Sequence, residues 1–129
     1  MKLDQGLAAV LKMDPKQAQA FAGALLLFFE DLLKRHDRAD LTSAIREAIP
    51  ELNEWQNLAP TLPIGAVTTD AIAANAGTEG GQFNLLMMQF AVEAPSHAAV
   101  KKLVTGFLAE RIGSAGIEQV RATTDVLND

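Results

Sequence analysis

The longest apolar run of the chain, Ala20 to Phe29, lies inside a stretch that carries helix signals at both ends. Asp14-Pro15-Lys16-Gln17 reads as a helix start: Asp14 can cap, Pro15 suits the first helical position, and Gln17 stands where a capping-box partner would. Lys34-Arg35-His36 places basic residues at the other end, where they favour a helix C-terminus. Between them Ala18, Phe21, Ala22, Leu25, Phe28, Phe29, Leu32 and Leu33 recur at spacings of three and four. The opposite side, Gly23, Ala24, Leu26 and Leu27, is apolar as well. A helix that is apolar all round has to be surrounded, so the stretch 15–36 is expected to be the central helix of the fold.

The remaining chain is helical in its punctuation too. Leu3, Leu7, Val10 and Leu11 predict a short first helix. Asp40 is the expected cap of a third helix bearing Leu41, Ala44, Ile45, Ala48 and Ile49, which Pro50 ends. Residues 51–58 form a short piece with the only tryptophan, Trp55. Residues 59–82 hold Pro60, Pro63, Gly65, Gly77, Gly80 and Gly81 and predict a long loop, with one helical turn near Asp70–Asn75. Phe83, Leu86, Met87, Phe90, Ala91 and Ala94 form the stripe of a further helix. Pro95-Ser96 restarts the chain. Val100, Leu103, Val104, Phe107, Leu108 and Ile112 form the next stripe, which Gly113 stops. Ser114 is the expected cap of a last helix with Ile117, Val120, Thr124 and Leu127. These features predict an all-α fold, an irregular bundle of six or seven helices around the central one. They form a single domain, 1–129, whose helical halves 1–58 and 83–129 are joined by the loop 59–82.

The first half resembles a family of uncharacterised bacterial proteins, the VcgC/VcgE-type domain of unknown function. The similar pieces are Asp14-Pro15-Lys16-Gln17-Ala18, Ala22-Gly23-Ala24-Leu25-Leu26, Ala48-Ile49-Pro50 and Leu58-Ala59-Pro60. Residues Val104-Thr105-Gly106-Phe107-Leu108 through Gly113 are similar in the second half. The chain departs from the pattern at Glu51, where the family has glycine. The matching residues are caps, breakers and core positions. The resemblance implies an α-helical bacterial domain without a known activity, and it assigns no site residue.

Charge and composition exclude several functions. Acids outnumber bases 16 to 11, giving a net charge of −5. Neither half hides a basic module: residues 1–64 carry 7 bases and 9 acids, residues 65–129 carry 4 and 7. A nucleic-acid binder needs cations to displace counterions, so no nucleic-acid partner is expected. There is no cysteine, which removes thiolate metal sites and cysteine nucleophiles. The N-terminal residues lack the basic-then-apolar order of a signal peptide. The apolar run is also half the length of a spanning helix, about 20 residues. Cytoplasmic residence without membrane insertion is the expectation, unless a leader precedes the chain.

No chemistry-bearing constellation emerges. His36 and His97 stand outside any coordination spacing. Gly77-Thr78-Glu79-Gly80-Gly81-Gln82 has the glycines of a phosphate loop but no nearby Lys or Arg, and Glu79 would repel an anion. Glu47, Glu51 and Glu54 would form an acidic face only on a continuous helix, which Pro50 interrupts. Ser43, Ser96 and Ser114 lie in no nucleophile motif. No cofactor or metal is expected, and the chain does not read as an enzyme.

The most informative surface is on the Phe83–Ala94 helix. Leu85, Met88 and Val92 form a second apolar stripe, opposite the first. Two-sided apolar helices are either central or present a patch for a partner, and methionine adapts to varied partners. The expected function is a non-enzymatic interaction domain that self-associates or meets a protein partner through Leu85, Met88 and Val92. The alternative is a carrier or sensor of an apolar small molecule held between helices, with Phe28, Phe29, Met87, Phe90 and Phe107 lining the pocket.

Overall fold

A computed structural model describes residues 3–58, 77–90 and 92–127. The described residues are all-α: six α-helices and one 3-10 turn, with no strand. The helices are α1 (Leu3–Leu11), α2 (Pro15–Arg35), α3 (Ala39–Ala48), α4 (Leu52–Leu58), α5 (Glu79–Gln89) and α6 (His97–Thr123). The turn Ala94–Ser96 precedes α6.

Helix α2 packs against α1, α3, α4 and α5. Phe21, Leu25, Leu26, Phe29, Leu32 and Leu33 are fully buried along it. Asp14 caps it as its sequence position implies: the side chain accepts from Lys16 N at 3.1 Å, and Pro15 opens the helix. The side expected to be enclosed is closed only in part. Gly23 is buried, yet Leu27 is 48% exposed. Gly23 marks where the side is closed. A Cβ there would stand 2.3 Å from the Trp55 carbonyl oxygen, so α4 lies directly against the α2 backbone.

Two helix ends are made without glycine. Lys12 (φ 56°) and Asp37 (φ 59°) take the left-handed conformation just after α1 and α2. Arg38 N then donates to Leu33 O (2.8 Å) and Asp37 N to Lys34 O (3.1 Å), the double closure of a Schellman motif. Helix α3 starts differently from expectation. Its N-cap position is Arg38, which makes no side-chain cap, and Asp40 lies inside the first turn. The reason is a better partner. Arg38 Nε and Nη2 donate to the two Asp40 oxygens at 3.1 and 3.0 Å, and Nη2 also reaches Gln119 at 2.7 Å. These hydrogen bonds raise the Arg38 pKa and hold Asp40 below the usual carboxylate range.

Around α5 the structure moves two boundaries. The helix begins at Glu79 rather than Phe83, because Thr78 Oγ1 accepts from Gly81 N at 2.9 Å and Glu79 places an acid in the first turn. Residues 79–82, read from their glycines as loop, are therefore helical. The turn expected near Asp70–Asn75 lies outside the described residues. At its other end α5 stops at Gln89, not Ala94. Phe90 leaves the helix to stack on Phe21 with centroids 4.8 Å apart, and Val92 N returns to Met87 O at 3.0 Å.

Helix α6 packs on α1 and α3 and is broken at Gly113. There φ is 81° and ψ 167°, a region open essentially to glycine alone. Helix resumes at once and ends at Thr123. Thr124 and Leu127, expected on the last helix, lie beyond it, both buried. No helix among the described residues is long and apolar enough to cross a membrane.

Candidate functional site

The stripe expected to meet a partner is divided by the early end of α5. Val92 is off the helix and 6% exposed, so it belongs to the core and not to a surface. Leu85 and Met88 stay on α5, and both are half-buried. At 100° per residue they project to the side away from Phe83, Met87 and Phe90, the buried face. Leu86, between them in sequence, packs partly against the core. No charged residue occurs from Gly80 to Gln89. The outer side of α5 is thus uncharged, half-covered and apolar at two positions.

The five side chains expected to line a pocket are spread over three ring groups. Phe28 and Phe29 meet each other and Phe83 at 5.6–5.7 Å. Phe90 stacks on Phe21. Phe107 lies 6.1 Å from Trp55, with the Arg111 guanidinium 4.9 Å over its ring. Phe29 and Met87 are fully buried, and Phe90 and Phe107 are 4% exposed. Phe28 and Phe29 meet each other, while Phe90 and Phe107 are taken up by Phe21 and Trp55, so the five do not face one common space.

The histidines fall in different settings. His97 Nε2 donates to Val92 O at 3.3 Å, holding the turn before α6. His36 Nε2 lies 2.6 Å from Glu79 Oε2, and Glu79 Oε1 accepts from the buried Thr124 hydroxyl at 3.1 Å. Arg35 adds contacts to Gln82 at 3.4 and 3.5 Å. Glu79 therefore fastens the start of α5 to the end of α2 and to the end of α6. The Thr124 proton points to a carboxylate, and its oxygen accepts from Val126 N at 3.3 Å, so this hydroxyl is held as a structural tie.

Glu47, Glu51 and Glu54 do not converge. Glu47 and Glu54 are exposed, while Glu51 pairs with Arg111 at 2.7 Å. Arg111 Nη1 also donates to Ala48 O at 3.1 Å, closing the end of α3. Among the described residues no three His, Asp or Glu side chains gather to hold a metal ion.

One buried charge escaped the sequence reading. Glu30, 2% exposed, directly follows the apolar run on α2. Arg46 of α3 reaches it through Nη2 to Oε2 at 2.9 Å. Its Nε lies 2.8 Å from Oε1, an ionic contact at an angle that leaves Oε1 without a hydrogen bond. Arg46 also donates to Asn53 (2.7 Å) and Gln56 (2.8 Å) of α4. One guanidinium thus joins α2, α3 and α4. The available signal was a carboxylate inside a helix stretch expected to be enclosed, with an arginine on the next helix.

No family model, no curated protein and no solved structure matches the chain.

Proposed function

We propose that the chain is a non-enzymatic helical interaction domain that self-associates through the outer side of α5. The observation that supports this reading is the pair Leu85 and Met88. They lie opposite the buried face of an uncharged helix segment and are only half-covered. A second copy laid against this side buries the rest of both side chains and strands no charge, which suits the centre of a protein interface. Val92 takes no part, since the core already holds it. The reading of a carrier for apolar molecules has less support, because the aromatic rings it needs lie in three separate ring groups and already pack on other rings of the core.

Sedimentation velocity across a concentration series tests the proposal. Self-association that grows with concentration, and is lost in a Leu85→Glu/Met88→Glu variant of unchanged helical content, is the expected result. A monomer at every concentration, or an assembly indifferent to both substitutions, refutes it.

A further inference from the structure

We propose that Met88 is an oxidation site whose sulfoxide switches off self-association through α5, an inference that rests on the association proposed above. The composition confines oxidation to very few atoms. The chain has no cysteine and no tyrosine, and its one tryptophan, Trp55, is 3% exposed. Methionine is the side chain left for a peroxide to attack, and there are four. Met1 lies outside the described residues. Met87 is fully buried in the core. Met13, in the turn between α1 and α2, packs partly against the core. Met88 is half-buried on the outer side of α5. Met87 and Met88 thus share chemistry and helix but not access, because successive positions turn by about 100°.

The reaction with hydrogen peroxide needs no further reagent. The sulfur lone pair attacks one peroxide oxygen. An S–O bond forms, the O–O bond breaks, and the second oxygen leaves as water with the proton of the first. Sulfur is oxidised by two electrons and the peroxide is reduced by two. The product is polar and chiral where the thioether was apolar and adaptable. At the centre of a helix contact its oxygen requires a donor, and Leu85 and the matching apolar pair of a second copy supply none. A second copy also covers Met88, so association slows oxidation just as oxidation opposes association, the reciprocity that linkage demands. A methionine sulfoxide reductase returns the thioether and with it the contact.

Hydrogen peroxide treatment of the full chain, followed by peptide mass spectrometry and sedimentation velocity, tests this. Met88 is expected to gain oxygen ahead of Met87, and more slowly as protein concentration rises. The oxidised chain associates about tenfold more weakly, the effect of one polar group buried without a partner. Met88→Leu keeps association and makes it insensitive to peroxide, while Met13→Leu leaves the sensitivity in place. Equal oxidation rates at Met87 and Met88, a chain oxidised at Met88 that associates as before, or a Met88→Leu variant still dissociated by peroxide overturns the switch and leaves self-association standing. An untreated chain that stays monomeric at every concentration overturns both.

Discussion

Gly23→Ala is the sharpest perturbation the packing offers. The new Cβ would lie 2.3 Å from the Trp55 carbonyl oxygen, 2.4 Å from its carbon and 2.7 Å from Gln56 N, where ordinary contact is 3.4–4 Å. All three obstacles are backbone, so no rotamer change relieves them. Helix α4 must withdraw by about 1 Å, and overpacking of this kind costs about 3 kcal/mol, the upper end of its usual range. Alanine returns about 1 kcal/mol of helix propensity. The net loss is about 2 kcal/mol, or a fall in Tm of about 8 °C for a chain of this size. Urea and thermal unfolding followed by the lone Trp55, which sits at the contact, measures it. Gly106→Ala is the control. Its helix position has open space, so the same substitution gains about 0.5–1 kcal/mol there. If Gly23→Ala also stabilises the protein, α4 does not lie against the α2 backbone.

Two further substitutions probe other parts of the same frame. Arg46→Ala leaves the Glu30 carboxylate buried without its cation. The loss is about 2–3 kcal/mol, lower than for a fully enclosed pair because the Arg46 side chain is 41% exposed. The double variant Glu30→Leu/Arg46→Leu should lose less in urea unfolding, and a single variant no worse than the double would contradict a buried pair. Lys12→Gly removes a left-handed lysine from the end of α1. It should raise the urea midpoint by about 1 kcal/mol equivalent, and a decrease would show that Lys12 does not hold φ near 56°.

The sequence made α2 legible because everything that defines it is local. Asp14, Pro15 and the three-and-four spacing of Phe21, Leu25, Phe29 and Leu32 need no partner to be read. The boundaries of α5 were not legible, for two different reasons. At its start, Gly80 and Gly81 carry a loop composition, and a single hydrogen bond from Gly81 N to Thr78 overrides it. At its end, the helical spacing of Phe90 and Ala94 continues in the sequence. Phe90 instead leaves the helix for a ring contact with Phe21, far away along the chain. The stripe Leu85–Met88–Val92 was correct in its spacing for a helix of that length. It failed at Val92 only because the helix stops first.

Glu30 and the bend of α6 at Gly113 share a cause for their invisibility. A carboxylate becomes structural through the arginine that reaches it, and Arg46 lies sixteen residues on, beyond any helical spacing. Lys101, Lys102 and Arg121 are unremarkable in sequence, as solvent-facing residues of two helix stretches. Only the backbone at Gly113 determines that they line one groove, because an unbroken helix would carry Arg121 nearly 30 Å beyond Lys102 at about 1.5 Å per residue. The glycine was read as a stop. Its larger consequence is that the chain turns there and resumes as helix at once, with the part after it brought back to the part before. In an all-α fold of this kind such neighbours arise where helices are broken and returned, and composition along one helix says little about them.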